Sequence, residues 1–196
     1  SVSRGLGDVY KRQDIIPEGL RRGDHFHAYM FRNPTNDDPP YWRDVGTVDS
    51  YYAANMELLE PEPPLNLYDK AWPIATYQRQ LPPAFIKPGK DDSDIQSSII
   101  GSACVIENSE IRRSVIFSEV RVDSGCKISG VLALGGCRIG ANCHLQNVIL
   151  DNGCIVPPGS IIGFDPKADA EKFYITREGV VLINRQMLGQ GIRYNP

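Results

Sequence analysis

The sequence predicts a mainly β protein in which residues 98–163 wind into a three-sided parallel β-helix. Small or β-branched residues recur every five or six positions between Cys104 and Ser160. An apolar residue follows each of them two places later, which is the alternation of a short strand with one inward face. Three such steps make roughly 16 or 17 positions, the length of one coil of a triangular β-helix.

The repeat predicts which side chains face the core. The small positions are Cys104, Ser109, Val115, Val120, Cys126, Val131, Cys137, Cys143, Val148, Cys154 and Ser160. The apolar positions that follow are Ile106, Ile111, Phe117, Val122, Ile128, Ala133, Ile139, Leu145, Leu150, Val156 and Ile162. Gly, Asn and Asp fill the gaps between these pairs, as expected for tight turns.

The cysteines are interpreted as packing residues, because all five occupy the small inward position of the repeat. Cys126 and Cys143 are separated by one coil length, as are Cys137 and Cys154. Each pair should therefore stack on one flank, where a free cysteine behaves as a small apolar side chain. No Cys-x-x-Cys pair or histidine cluster indicates zinc.

Composition excludes several classes of function. Lys and Arg total 21 against 24 Asp and Glu, so the net charge is −3 and no basic field favours nucleic acid. No run of about 18 apolar residues predicts a membrane span. Residues 1–13 lack the apolar stretch of a secretory signal. We therefore expect a cytoplasmic protein.

The region before the linker divides into two parts. Residues 1–13 (SVSRGLGDVYKRQ) have no periodicity, and we expect them to be foreign to the natural chain, which would then be longer at its N-terminus. Residues 14–60 are expected to be an α/β piece. Within it, residues 25–31 (HFHAYMF) alternate and predict a strand. Thr47 is the expected N-cap of an amphipathic helix that ends at Pro61.

The regions around the coils are a linker and a cap. Residues 61–97 are rich in proline, which interrupts regular structure, and are expected to link the α/β piece to the coils. Residues 164–196 are expected to cap the open end of the β-helix. A short helix is predicted within Asp169–Tyr174 and a strand within Gly179–Asn184.

Four segments agree in order and spacing with one family. They are PYWRDVGT with the helix after it, LYDKAWPIATYQRQLPPAFI in the linker, the cysteine-rich coils, and FYITREGVVLINRQML in the tail. On these segments, the chain from Asp14 onward resembles the C-terminal part of bacterial glucose-1-phosphate adenylyltransferases. The resemblance implies that residues 14–60 end an α/β nucleotidyltransferase domain and that the β-helix is left-handed.

The resemblance also implies an activity. Members of this family convert ATP and glucose 1-phosphate to ADP-glucose and pyrophosphate with Mg²⁺, for glycogen synthesis. They are typically homotetramers regulated by metabolites, so a homo-oligomer is expected. The family's Gly-rich nucleotide loop, second metal aspartate and sugar-phosphate lysine do not occur in this sequence. We therefore expect the chain alone to be inactive and to act as an oligomerisation and regulatory module.

Two residues of this sequence match substrate-site positions of the family. The family's W-x-D-V-G-T tryptophan lines the sugar pocket and falls on Trp42, and its aspartate helps hold the metal and falls on Asp44. Mg²⁺ commonly takes one or two carboxylates together with substrate phosphates. The residues alone leave a second interpretation open, in which Asp44 only caps the helix near Thr47.

One departure from the family concerns regulation. In some members an arginine in the last coils helps bind the phosphate of a sugar-bisphosphate activator. Asn152 stands at that position here, and an amide cannot offer the charged fork of a guanidinium to phosphate. We therefore expect a different activator specificity.

Two alternative functions stay open. A hexapeptide-repeat acyltransferase would use a histidine as general base, and His144 is the candidate within the coils. Another sugar-1-phosphate nucleotidyltransferase would share the same architecture with a different substrate. His25 and His27 share one face of the predicted strand, but no third ligand for a metal is visible.

Overall fold

The computed structural model describes residues 11–30, 32, 40–71, 73–87 and 93–191. These residues fall into two compact units that divide between Pro40 and Tyr41. This division follows from packing contacts. The segment boundaries expected from sequence, at residues 13, 60, 97 and 163, follow from composition and repeats and stay a prediction. Residues 1–10 of the segment expected to be foreign lie outside the described residues.

The described residues of the first unit contain one α-helix. A π-helical turn at Lys11–Ile15 leads into α1 (Ile16–Arg22), and Gly23 ends the helix with φ of 80°, donating its N–H to the Leu20 carbonyl. Left-handed backbone of this kind is the usual helix stop at glycine. In the part of the chain that the structure describes, every helix is too short or too polar to cross a membrane.

The strand predicted at residues 25–31 is wrong. Residues 24–30 have no regular secondary structure, Tyr29 is 88% exposed, and residue 31 is not described. A strand becomes stable only when neighbouring strands pair with its backbone. The described residues of this unit contain no such neighbour, so the alternating aromatic pattern has nothing to pack against.

Helix α2 (Val48–Met56) begins at Thr47, as predicted, and continues into a 3₁₀ turn at Glu57–Leu59. Thr47 Oγ1 accepts a hydrogen bond from Ser50 N at 3.1 Å, and Ser50 Oγ accepts one from Thr47 N at 3.1 Å. This reciprocal pair is a capping box, which satisfies two backbone donors at the helix start. The predicted linker, residues 61–97, contains no helix or strand in its described part up to Ala84, but strands at Phe85–Lys87 and Asp94–Gln96 within it already belong to the solenoid.

Three flanks of short strands build the solenoid. Flank A contains β1 (Phe85–Lys87), β4 (Val105–Glu107), β7 (Arg121–Val122), β9 (Arg138–Ile139) and β11 (Ile155–Val156). Flank B contains β2 (Asp94–Gln96), β5 (Glu110–Arg112), β12 (Ile161–Ile162) and the first halves of β8 (Lys127–Ala133) and β10 (His144–Leu150). Flank C contains β3 (Ile99–Ile100), β6 (Val115–Ile116), the second halves of β8 and β10, and β14 (Val181–Ile183).

The strand register confirms the predicted coil length. On flank B, Lys127 pairs with His144, and His144 pairs with Ile161. The two intervals contain the same number of residues, which is the longer of the two expected coil lengths. On flank A, Val105 pairs with Arg121, which matches the shorter length. All these pairings are parallel.

The predicted cysteine stacks are confirmed. Cys126 and Cys143 directly precede the paired residues Lys127 and His144, and Lys127 N donates to the Cys143 carbonyl at 2.8 Å. Cys137 and Cys154 stand in the same relation on flank A. All five cysteines are free and buried. Burial raises the pKa of Cys137 to about 12 and that of Cys154 to about 11, so both are neutral core thiols.

The inward positions differ from the prediction in one coil. Val115 packs in a second cluster outside the solenoid, and Phe117 is 39% exposed. Ser114 and Ile116 occupy the inward positions instead, with 0% and 1% exposure. Ser114 Oγ accepts from Val131 N at 3.0 Å and donates to the Arg112 carbonyl at 2.7 Å. These two bonds compensate the cost of burying the hydroxyl.

The tail closes the last coil, as expected. After β12 the chain forms α3 (Pro166–Ala170) and β13 (Tyr174–Ile175), and β14 then pairs parallel with β10 and antiparallel with β13. The helix predicted within Asp169–Tyr174 is misplaced, because only Asp169 and Ala170 are helical and Tyr174 begins β13. Helix α3 starts earlier, where the Asp165 side chain caps it by accepting from Lys167 N and Ala168 N.

The free edge of β11 is covered by a side chain. Gln190 Oε1 accepts from Ile155 N at 3.1 Å, and Gln190 Nε2 donates to the Ile155 carbonyl at 2.5 Å. The carboxamide therefore makes the two bonds that a further strand would have made.

Helix α2 packs on the outer face of flank C. Met56 is buried against Val115, Leu132 and Ile149, with further apolar residues packed around them (Val48, Tyr51, Tyr52, Leu59, Ile99, Leu134, Leu182). Flank C is thus buried on both faces, and its outward positions are aliphatic. This helix–flank contact places the segment before α2 beside the solenoid.

We expect Ser114→Ala to lower the free energy of unfolding by about 1–3 kcal/mol, because it leaves the buried Val131 N–H without an acceptor. Urea unfolding at an unchanged m value measures the loss. Ser129→Ala, at an exposed position of β8, is the matched control and should be nearly neutral. Equal losses in the two variants would contradict the inward placement of Ser114.

Thr47→Ala should lower the free energy of unfolding by about 1 kcal/mol, since it removes the hydroxyl that accepts a hydrogen bond from Ser50 N. The same urea titration measures this effect, with Thr76→Ala in the exposed linker as control. A Thr47→Ala variant as stable as the control would show that the box does not hold the start of α2.

Candidate functional site

Asp44 lies on the exposed segment that leads into α2. Its Oδ1 accepts a hydrogen bond from Gly46 N at 3.1 Å, which forms a turn just before the helix. Thr47 and Ser50 supply the helix cap, so the interpretation of Asp44 as the capping residue is wrong.

Trp42 lies two residues earlier, with 68% of its surface exposed. Between the two, Arg43 turns back to α2, where its Nε donates to Glu57 Oε2 at 2.9 Å. The Arg43 guanidinium also lies 5.2 Å from the centre of the Tyr41 ring, a cation–π distance. The hydrogen bond to Glu57 is the main cause of the raised pKa of Arg43. Arg43 therefore anchors the segment and leaves Trp42 and Asp44 in solvent.

A cleft of about 360 Å³ lies between the start of α2 and the solenoid. Its walls are mainly apolar, with one carboxylate, and are formed by Val45, Gly46, Thr47, Val48, Tyr51, Leu134, Ile149, Asp151 and Leu182. Trp42 and Asp44 adjoin this wall in sequence but do not line it. A second cleft of about 500 Å³ lies in the first unit and carries both carboxylates and guanidinium groups, including Glu18 and Arg22.

The α2–solenoid contact was not predicted from sequence, although a signal for it exists. The outward positions of flanks A and B are largely polar, whereas flank C carries Val115, Leu132 and Ile149 at the same position of three successive coils. An outward aliphatic column of this kind indicates a flank covered by another element.

Asp44 offers a metal ion one carboxylate. Its Oδ2 accepts no hydrogen bond from the residues that the structure describes, so this oxygen is available as a ligand. Those same residues contain no group of three or more His, Cys, Asp or Glu side chains that could hold a metal. The fit to Mg²⁺ is therefore partial, with one ligand from this chain and the rest to come from phosphates, water or other protein residues.

The histidines do not form a catalytic group. His25 and His27 are exposed in the first unit, outside any described strand. His144 lies half-buried on flank B between Lys127 and Ile161 in the register. No carboxylate in the described ranges of the chain hydrogen bonds to it.

Most arginines of the coils are paired with acids. Arg112 contacts Asp94 and Glu110 at 2.5 Å each, and Arg121 contacts Asp123 at 3.0 Å. Asn152 lies in a turn that Cys154 N closes by donating to the Asp151 carbonyl at 3.2 Å, and its own N–H donates to Asp151 Oδ1 at 2.8 Å. Gly153, the next residue in the chain, accepts a hydrogen bond at its carbonyl from Arg185 of the tail. The sequence analysis did not predict this contact.

Two family models match the chain in succession. The model described as nucleotidyl transferase matches residues 8–61, and the model described as GlmU-like, C-terminal hexapeptide matches residues 82–183. The second match agrees with the parallel solenoid and is consistent with the left-handed β-helix that the family resemblance implies.

Curated relatives match nearly the whole chain. Glucose-1-phosphate adenylyltransferase of Nitrosococcus oceani is 46% identical over 184 residues, covering 93% of this chain and 44% of the relative. The proteins of the same name from Shewanella amazonensis and Methylococcus capsulatus are 47% and 43% identical, with 42% and 43% of their lengths covered.

The chain thus spans less than half the length of these relatives. Their names confirm the resemblance drawn from the four sequence segments. The hexapeptide model alone covers more than half of the chain, from residue 82 to residue 183. This chain belongs to the GlmU-like, C-terminal hexapeptide family.

Proposed function

We propose that this chain is the C-terminal part of a glucose-1-phosphate adenylyltransferase, which makes ADP-glucose and pyrophosphate from ATP and glucose 1-phosphate for glycogen synthesis. The observation that carries this proposal is the order of the two family matches. A nucleotidyl transferase segment precedes the hexapeptide coils, and relatives of that name align across both.

Trp42 and Asp44 belong to the sugar-nucleotide site in this proposal. The exposed Trp42 indole supplies a flat apolar face for the sugar, and the hydrogen bond from Gly46 N orients the Asp44 carboxylate. When bound, Mg²⁺ would neutralise phosphate charge during nucleotidyl transfer. Asp44 would supply one oxygen to that ion.

The solenoid serves assembly and regulation in the same proposal. A homotetramer, as in the family, would use the outer faces of the coils for subunit contacts. Asn152 replaces the activator-binding arginine, so regulation by metabolites would depend on other residues. The protein would work in the cytoplasm, where ATP and sugar phosphates are found.

The chain alone should form no ADP-glucose, because the family's Gly-rich nucleotide loop, second metal aspartate and sugar-phosphate lysine do not occur in its sequence. A chimera tests the proposal, in which the N-terminal region of the Nitrosococcus oceani relative is fused ahead of Asp14. With Mg²⁺, ATP and glucose 1-phosphate it should release pyrophosphate and ADP-glucose. Asp44→Asn should lower its kcat/KM by about 100-fold or more, through loss of a metal ligand.

Glu62→Gln is the matched control, since it removes an exposed carboxylate just after α2 and should leave the rate unchanged. A folded chimera that makes no ADP-glucose would overturn the proposed function. A chimera that tolerates Asp44→Asn would overturn only the role of Asp44. Binding of acetyl-CoA by the chain would instead favour the acyltransferase, and preference for another nucleotide would favour a related nucleotidyltransferase.

A further inference from the structure

We propose that Tyr52 is a positioning residue, whose hydroxyl locks α2 to one corner of the solenoid and so fixes the segment that carries Trp42 and Asp44. This inference rests on the proposed function for the roles of those two residues. The geometry of the lock itself does not depend on that function.

The contact between α2 and flank C is mostly apolar, with Met56 at its centre. Apolar burial is non-directional, so on its own it holds a helix against a surface without defining where along the surface it lies. Tyr52 adds the directional contact. Its Oη donates to the Gly130 carbonyl at 2.7 Å, joining residues 78 positions apart in the chain.

The solenoid is shaped to receive this hydroxyl. Arg113, Gly130 and Asn147 occupy the same corner of three successive coils, and all three have positive φ, of 45°, 63° and 52°. Gly130 lies opposite Tyr52. A Cβ there would lie 2.8 Å from Tyr52 Oη and 2.6 Å from Asn147 Oδ1, so the contact requires glycine at this coil.

Burial keeps the Tyr52 phenol protonated. It raises the pKa of Tyr52, while the nearby Arg113 charge acts in the opposite direction, so the hydroxyl remains a hydrogen-bond donor at neutral pH. Arg113 Nη2 also lies 3.5 Å from Glu60 Oε1, just beyond the end of the 3₁₀ turn. Both groups of this second contact are exposed, so it contributes little, and the directional restraint comes mainly from Tyr52.

The position of Tyr52 is transmitted to Asp44 through rigid structure. Tyr52 lies five residues after Thr47, about 7.5 Å along the helix axis. The capping box ties Thr47 to the first turn, and Gly46 N holds Asp44 Oδ1. A shift of the Gly130 corner would therefore move the Asp44 segment with it.

The first experiment uses this chain with Trp72→Phe, which leaves Trp42 as the sole tryptophan. Tyr52→Phe is compared with Tyr51→Phe, because the Tyr51 hydroxyl has no hydrogen-bond partner among the described residues of the second unit. Tyr52→Phe should raise amide exchange across α2 by about 5- to 10-fold and change acrylamide quenching of Trp42. Tyr51→Phe should alter both by less than twofold. Equal effects of the two variants would overturn the proposal.

The second experiment separates positioning from stability in the chimera. Tyr52→Phe should lower kcat about tenfold while KM for ATP stays within twofold, because it displaces Asp44 rather than the nucleotide site. Ser109→Ala removes the buried hydroxyl that accepts from Cys126 N, at a corner of the coils outside the α2 contact, and should leave kcat within twofold. An unchanged kcat in Tyr52→Phe would overturn the positioning role. If the unsubstituted chimera is inactive, the proposed function fails, whereas the exchange comparison still decides the role of Tyr52.

Discussion

In-register stacking of inward side chains is the constraint on which the rest of this structure depends. Each coil must pair its backbone with the next, so a core position such as Cys126 recurs at Cys143 on the same flank. Stacking of this kind buries small and aliphatic groups in one continuous column. It also aligns the outward positions, because strand residues alternate between the two faces. Every flank therefore presents columns of side chains whose chemistry decides what the flank can contact.

The three flanks use that alignment differently. On flanks A and B the columns hold ion pairs, such as Arg112 with Asp94 and Arg121 with Asp123, which keep these faces in water. On flank C the column is aliphatic, and α2 covers it. The chemistry of one face thus determines which flank the helix covers.

The parts of the fold that were predictable from sequence are those set by local pattern, such as the coil length, the cysteine stacks and the Thr47 cap. Ser114 was missed because a hydroxyl can occupy an apolar position when the backbone supplies both partners. The strand at residues 25–31 depended on distant partners that a local pattern cannot report. The roles of Trp42 and Asp44 came from resemblance, since an exposed Asp in a turn has no distinctive chemistry of its own. Tyr52 was missed as a polar anchor because its partner is a backbone carbonyl, which no sequence motif displays.

The carboxamide of Gln190 on the edge of β11 has a consequence for how such proteins change in length. It satisfies the N–H and carbonyl of Ile155, so the end of the solenoid is encoded in the tail and not in the repeat. Whole coils can then be gained or lost upstream while the same terminator still fits, because every coil presents the same backbone edge. The number of coils in the β-helix can therefore change in evolution without a change in the tail. The Gln190 carboxamide occupies the edge of β11, where a further strand would otherwise pair.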